Sequence, residues 1–119
     1  MQLREMDEQT TYRQQLEQDN GPVVLINQFT VAPEDAQHFL EVWADDAAFM
    51  KQQPGFVSTQ LHRGTAGSMT FINLAVWESA AALGAAFRDR TWHWMPDYVR
   101  VRGQDRSSAP SATAVIVST

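Results

Sequence analysis

The sequence predicts an α+β domain running β-α-β-β-α-β, with an antiparallel sheet and an extra strand at the C-terminus. Three observations carry that prediction. VVLINQFTV (residues 23–31) and SMTFINLAVWES (68–79) alternate with the two-residue period of strands and are rich in β-branched and aromatic residues. Between them, Phe39, Trp43, Ala47 and Met50, with Ala36 and Leu40, follow the 3.6-residue period of an amphipathic helix. Asn20-Gly21-Pro22, Ala32-Pro33, Pro54-Gly55 and Gly64 to Gly67 then supply breaks where the elements must end.

Residues 1–21 are polar and Gln/Glu-rich, with Leu3, Met6 and Leu16 as a thin apolar stripe, so a polar arm or short helix is expected there. The first confident strand, 23–31, puts Val23, Leu25, Asn27, Phe29 and Val31 on one face. Pro33-Glu34-Asp35 opens a helix that runs to about Gln53, with proline early and acids near the positive end of the dipole. Glu41, Asp45 and Asp46 read as its solvated flank, and no nearby His spacing turns them into a metal site. FVSTQLHR (56–63) is the next strand, with Val57, Thr59 and Leu61 on one face and Phe56, Ser58, Gln60 and His62 on the other. The turn at 64–67 pairs it with 68–79 in a hairpin.

In that hairpin strand Met69, Phe71, Asn73, Ala75 and Trp77 share a side, and Thr70, Ile72, Leu74 and Val76 share the other. Neither row is a solvated face, so the strand is expected to be covered on both sides. Ser79 caps a second helix to about Arg88, whose Ala82, Leu83, Ala86 and Phe87 can face the sheet. DRTWHWMPD (89–97) caps something apolar, as a lid or a packed loop, because two Trp beside a His are costly to expose. YVRVR (98–102) reads as strand four, and a Ser/Pro/Ala linker leads to AVIVS (114–118), an apolar strand that would aggregate unless paired. A partner subunit's sheet is one place for it. The chain thus divides into an arm (1–21), a ferredoxin-like domain (22–102) and a linker with terminal strand (103–119). Two helices cover one sheet face, and the apolar second face points to a homodimer in which two sheets close into a barrel.

With 119 residues and 44% hydrophobic content, the chain is expected to be one globular domain, or one domain with tails. A net charge of −5 lacks the basic footprint of a nucleic-acid binder. The absence of cysteine excludes disulfides, thiolate chemistry and Cys-ligated metals. Neither a signal-peptide core nor an apolar run approaching the ~18 residues of a membrane span is present, so a soluble cytoplasmic protein is the expectation.

Asn27 and Asn73 are polar amides inside apolar rows. Each is either a core amide bonded to a neighbour or a polar group placed in the wall of a ligand cavity. In the second case Trp77 shares the cavity with Asn73, and Phe29, Phe39, Trp43, Leu83, Phe87 and Trp92 are candidates for its apolar walls. His62 is either a proton acceptor facing the cavity or a half-exposed strand histidine.

INQFTV, QQPGFVSTQLHR and above all FINLAVWESAAAL resemble the antibiotic biosynthesis monooxygenase domain, a dimeric α+β barrel, over roughly residues 22–102. The resemblance implies a cofactor-independent monooxygenase that brings O2 to a small aromatic substrate of the anthrone or quinol kind, with no metal. It implies that Asn73 and Trp77 line the pocket and hold the substrate's oxygens. The Tyr that such enzymes place six residues after the Trp is Leu83 here, and for an Arg further along Arg88, Arg90 and Arg100 are candidates by location only. Haem-degrading relatives share an Asn on the first strand and the Trp, which Asn27 and Trp77 match. Their helical His corresponds to Phe87, with His93 six residues beyond. A dimeric domain that binds an aromatic without turning it over is the non-enzymatic alternative.

Overall fold

The computed structural model describes residues 2–18, 21–90 and 111–118. Its strands are β1 (Gln2–Glu5), β2 (Val23–Thr30), β3 (Phe56–Arg63), β4 (Thr70–Trp77) and β5 (Ser111–Ser118). Its helices are α1 (Tyr12–Leu16), α2 (Ala36–Met50) and α3 (Ala80–Arg90), and a single 3-10 turn at Pro33–Asp35 leads into α2. The sheet order is β1-β5-β2-β4-β3. Pairing is antiparallel throughout β5-β2-β4-β3 and parallel between β1 and β5. The four antiparallel strands with α2 and α3 form the expected ferredoxin-like arrangement.

The fourth strand of that sheet is β5. It lies along β2 of its own chain from Val23↔Ser118 to Thr30↔Ser111. Tyr98–Arg102, expected from its alternation to be strand four, lies outside the described residues. A further strand, β1, joins the sheet beside β5, and the thin apolar stripe of the N-terminal arm did not reveal it. It covers the outer edge of β5 only from Ser111 to Ala114. Past that point the Ile116 backbone N–H donates to Gln15 Oε1 at 2.6 Å, so α1 takes over where β1 stops. Unpaired edge amides invite association with other chains, and this polar-looking arm closes part of that edge. A capping box places α1, with Thr11 Oγ1 accepting from the Gln14 backbone and Gln14 Oε1 accepting from the Thr11 backbone.

Helices cover one sheet face. Val23, Leu25, Ala75, Trp77 and Ile116 pack with Ala80, Leu83 and Ala86 of α3. Phe29, Val31 and Phe71 pack with Ala36 and Phe39 of α2. The Phe39 ring sits 5.0 Å from both Phe29 and Phe71, tilted to each, a favourable aromatic geometry. Ser79 Oγ accepts from the Ala82 N–H at 3.1 Å, as expected of an N-cap. The alanine-rich face lets α3 approach closely: a Cβ added at Gly55, where φ is +87°, would collide with the Ala82 Cβ. Gly55 is therefore required twice, by its backbone conformation and by its neighbour. Its carbonyl also accepts from the Glu78 N–H at 2.8 Å, which ties the start of β3 to the end of β4.

One irregularity changes the predicted faces of β3. Phe56 pairs with Trp77 but Ser58 pairs with Val76, so Val57 is an extra, bulged residue and is 54% exposed. Upstream of the bulge the alternation flips. Phe56 thus joins Thr59 and Leu61 on the helix-covered side, where its ring meets Trp77 edge-on at 5.4 Å. A simple two-residue count places Phe56 with His62, and the bulge corrects it.

Candidate active site

On the helix-covered face, the two apolar clusters do not merge. Along β2 the buried row reads Val23 and Leu25, then Asn27, then Phe29, and along β4 it reads Trp77 and Ala75, then Asn73, then Phe71. The two asparagines are direct cross-strand partners at the seam between the clusters. A cavity opens over this seam, with about 520 Å3 of unfilled space counting its mouth. The space enclosed within it is about 50 Å3. Its floor is Leu25, Asn27, Phe29, Asn73, Ala75 and Trp77 from the central strands, with Phe56 and Thr59 from β3. Trp43, Asp46, Ala47 and Met50 of α2 and Leu83 of α3 complete the walls.

A directed hydrogen-bond chain crosses this floor. Thr59 Oγ1 donates to Asn73 Oδ1 at 2.6 Å, and Asn73 Nδ2 donates to Asn27 Oδ1 at 3.2 Å. Thr59 lies diagonally across the hairpin from Asn73 and reaches it because the bulge sets the register of β3. Both ends of the Asn73 amide are engaged, whereas Asn27 Nδ2 and Trp77 Nε1 are buried donors without an acceptor among the described protein atoms. Asn27 is 4% exposed and Trp77 1%. Leaving such groups unpaired costs about 1–3 kcal/mol each. Both belong to residues that line the cavity.

The predicted site residues divide accordingly. Asn73, Trp77, Asn27, Phe29, Trp43 and Leu83 come together around the cavity. Phe39 is buried behind Phe29 and Phe71 and supports the wall rather than lining it. His62 does not join them. It pairs with Ile72 on the opposite sheet face and is exposed, because β3 after the bulge sends Thr59 and Leu61 inward and Gln60 and His62 outward. The described histidines, His38 and His62, are both absent from the cavity wall. The side chain of Phe87 and all of Trp92, His93 and Trp94 lie outside the described residues, as does Arg100.

Seven wall residues are not among those the sequence pointed to, and two of them, Thr59 and Asp46, are polar. Thr59 shares its face with Leu61, as the alternation predicts, and that face is the one turned to the cavity. Asp46 reads in the sequence as part of a solvated flank, yet it is half-buried and lines the cavity. The signal is present in its spacing, three residues after Trp43 and four before Met50, which is the spacing of a shared helix face. Among the described residues no group of three or more His, Cys, Asp and Glu stands together to hold a metal, and no helix is long and apolar enough to cross a membrane.

Known proteins share this architecture. The family described as "Antibiotic biosynthesis monooxygenase" matches residues 22–93, more than half of the chain. Deoxynogalonate monooxygenase of Streptomyces nogalater is 41% identical over 59 residues, covering 50% of this chain and 49% of that protein. The match thus spans about half the length of this curated relative. Among solved structures, SnoaB, a cofactor-independent oxygenase from Streptomyces nogalater, superposes with a TM-score of 0.62 at 26% identity, over 84% of this chain and 94% of that one. A heme-degrading protein of Mycobacterium tuberculosis superposes with a TM-score of 0.53 over 82% of this chain and 93% of that one. At 22% identity that likeness extends to the fold alone.

Proposed function

We propose, since the chain belongs to the antibiotic biosynthesis monooxygenase family, that it is a cofactor-independent monooxygenase acting with O2 on a flat aromatic substrate of the anthrone or quinol kind. The observation that carries this reading is the pair of buried, unaccepted donors, Asn27 Nδ2 and Trp77 Nε1, on the wall of an otherwise mainly apolar cavity. An anthrone carries a CH2 group made acidic by the carbonyl across the ring. Loss of a proton leaves an enolate whose negative charge collects on oxygen, and an electron-rich enolate can pass an electron to O2 directly. The overall change, CH2 plus O2 to C=O plus H2O, balances without a further reductant.

The residues have three tasks in that scheme. Asn27 Nδ2 and Trp77 Nε1 donate to the enolate oxygen, where preorganised donors act most strongly because water is excluded. Asn73, held by Thr59, orients the Asn27 amide so that its N–H rather than its carbonyl is free. Phe29, Trp43, Met50, Phe56 and Leu83 present the apolar surface that a flat ring needs. Relative to the expectation from sequence, the donor role moves from Asn73 to its cross-strand partner.

The test is oxygen uptake by chelator-treated protein supplied with 9(10H)-anthrone, with quinone absorbance followed in parallel. The expected result is uptake and quinone formation in equal amounts above the buffer rate. Saturable binding of the anthrone with no uptake would instead make this a binding module. A haem Soret band on hemin titration, with no anthrone turnover, would move it to the haem branch.

The second sheet face supports assembly as a homodimer. Val24 and Ile26 of β2, Ile72, Leu74 and Val76 of β4, and Val115 and Val117 of β5 share this face, and no described helix covers it. Val117 remains 39% exposed. A contiguous apolar row of this kind is a typical protein–protein surface, and a second copy of the same sheet is the occupant that closes a barrel. Leu74→Glu is expected to convert a dimer to a monomer in sedimentation velocity. An unchanged dimer would place the interface elsewhere.

A further inference from the structure

The cavity's proton chemistry has one candidate among the described residues. Of the side chains that line it, Asp46 is the sole ionisable one; the other twelve are apolar, aromatic, amide or hydroxyl groups. It stands on the α2 face that carries Trp43, Ala47 and Met50 toward the sheet, opposite the asparagine pair. Its Oδ1 is shielded from solvent, and the residue makes an interaction of its own within the chain. Its neighbour Asp45 is exposed, which separates a carboxylate turned inward from one turned outward on adjacent residues.

We infer that Asp46 is the catalytic proton acceptor of this cavity, a role resting on the oxygenase reading above. The reacting C–H bond of the substrate breaks, its proton passes to a carboxylate oxygen of Asp46, and the electron pair stays on the substrate as the enolate. The enolate oxygen is then held by Asn27 and Trp77 from the sheet side. A proton leaving carbon inside a water-poor cavity needs an acceptor in the wall, since charge separation with no fixed partner is costly there. A positioned side-chain base contributes about 100-fold to 10,000-fold. The hydroxyl of Thr59 and the asparagine amides are not bases of useful strength, and His62 lies on the far side of the sheet.

The step can be observed without O2. Wild-type protein under anaerobic conditions in D2O is expected to accelerate exchange of the 9(10H)-anthrone CH2 hydrogens, followed by NMR. Asp46→Asn keeps the size of the side chain and is expected to slow the enzymatic exchange by about 100-fold or more. Asp46→Glu restores part of it, and Asp45→Asn leaves it unchanged. The Glu rescue separates proton transfer from a packing role, because a longer carboxylate repairs the chemistry and not the fit. Exchange in Asp46→Asn at the wild-type rate, or no acceleration by wild type, overturns the inference. Oxygen uptake in air reports separately on the parent reading. Uptake with Asp46-independent exchange removes only the role of Asp46, and Asp46-dependent exchange with no uptake removes only the oxygenase.

Discussion

Asn27→Ala is expected to lower kcat on an anthrone by about 100-fold to 1,000-fold, the usual cost of removing one preorganised donor to a developing oxyanion. KM should move little, because the carbonyl oxygen of the ground state draws less from the donor than the enolate oxygen does. The side chain is deeply buried and its Oδ1 accepts from Asn73 Nδ2, so the truncation also leaves that N–H without its partner. A stability loss of about 1–3 kcal/mol is the expected companion effect, to be measured by urea unfolding and kept apart from the kinetic one. Asn73→Ala should approach the same loss in kcat by a different route, since it frees the Asn27 amide to turn. The two substitutions act on one chain of hydrogen bonds, so the double variant should be little slower than either single one. Strictly additive losses would mean that each amide meets the substrate by itself, and the directed chain would then be irrelevant to catalysis.

Much of this arrangement is legible in the amino-acid sequence, and the parts that are not have physical causes. Strands with clean two-residue alternation and the long stripe of α2 declare themselves because burial on one face repeats with the element's own period. The two asparagines stand out for the same reason, as breaks in an apolar row. The bulge at Val57 is illegible: an extra residue leaves the composition of β3 unchanged while reversing the faces upstream of it. That one residue brings Phe56 to Trp77, and the register beyond it brings Thr59 to Asn73 and carries His62 away from the cavity. β1 is hidden because an edge strand of four residues has too little buried surface to leave a pattern. The place of β5 is hidden because both faces of AVIVS are apolar, which says that the strand is central but not which sheet receives it. Asp46 is masked by Asp45, because adjacent acids on a helix usually face water, although its spacing from Trp43 and Met50 argues otherwise.

Trp77 offers the sharpest separation of fold from chemistry, because the same side chain serves both. It is 1% exposed, packs with Leu83 and Ala80 of α3, and meets the Phe56 ring edge-on at 5.4 Å. Trp77→Ala removes that whole contact surface and is expected to cost about 3–5 kcal/mol, a large share of the stability of a small domain. A lowered urea midpoint, or loss of the folded protein altogether, would be the observation. Trp77→Phe keeps most of the apolar contact and the edge-on ring pair while deleting Nε1–H, so its stability should stay much closer to wild type. The indole N–H has no acceptor among the described protein atoms, so its removal leaves no protein group newly unpaired. The phenylalanine variant should nonetheless lose about 100-fold in kcat, the effect of one missing donor. A folded Trp77→Phe protein with undiminished turnover would reduce Trp77 to a packing residue and leave Asn27 to hold the enolate oxygen alone.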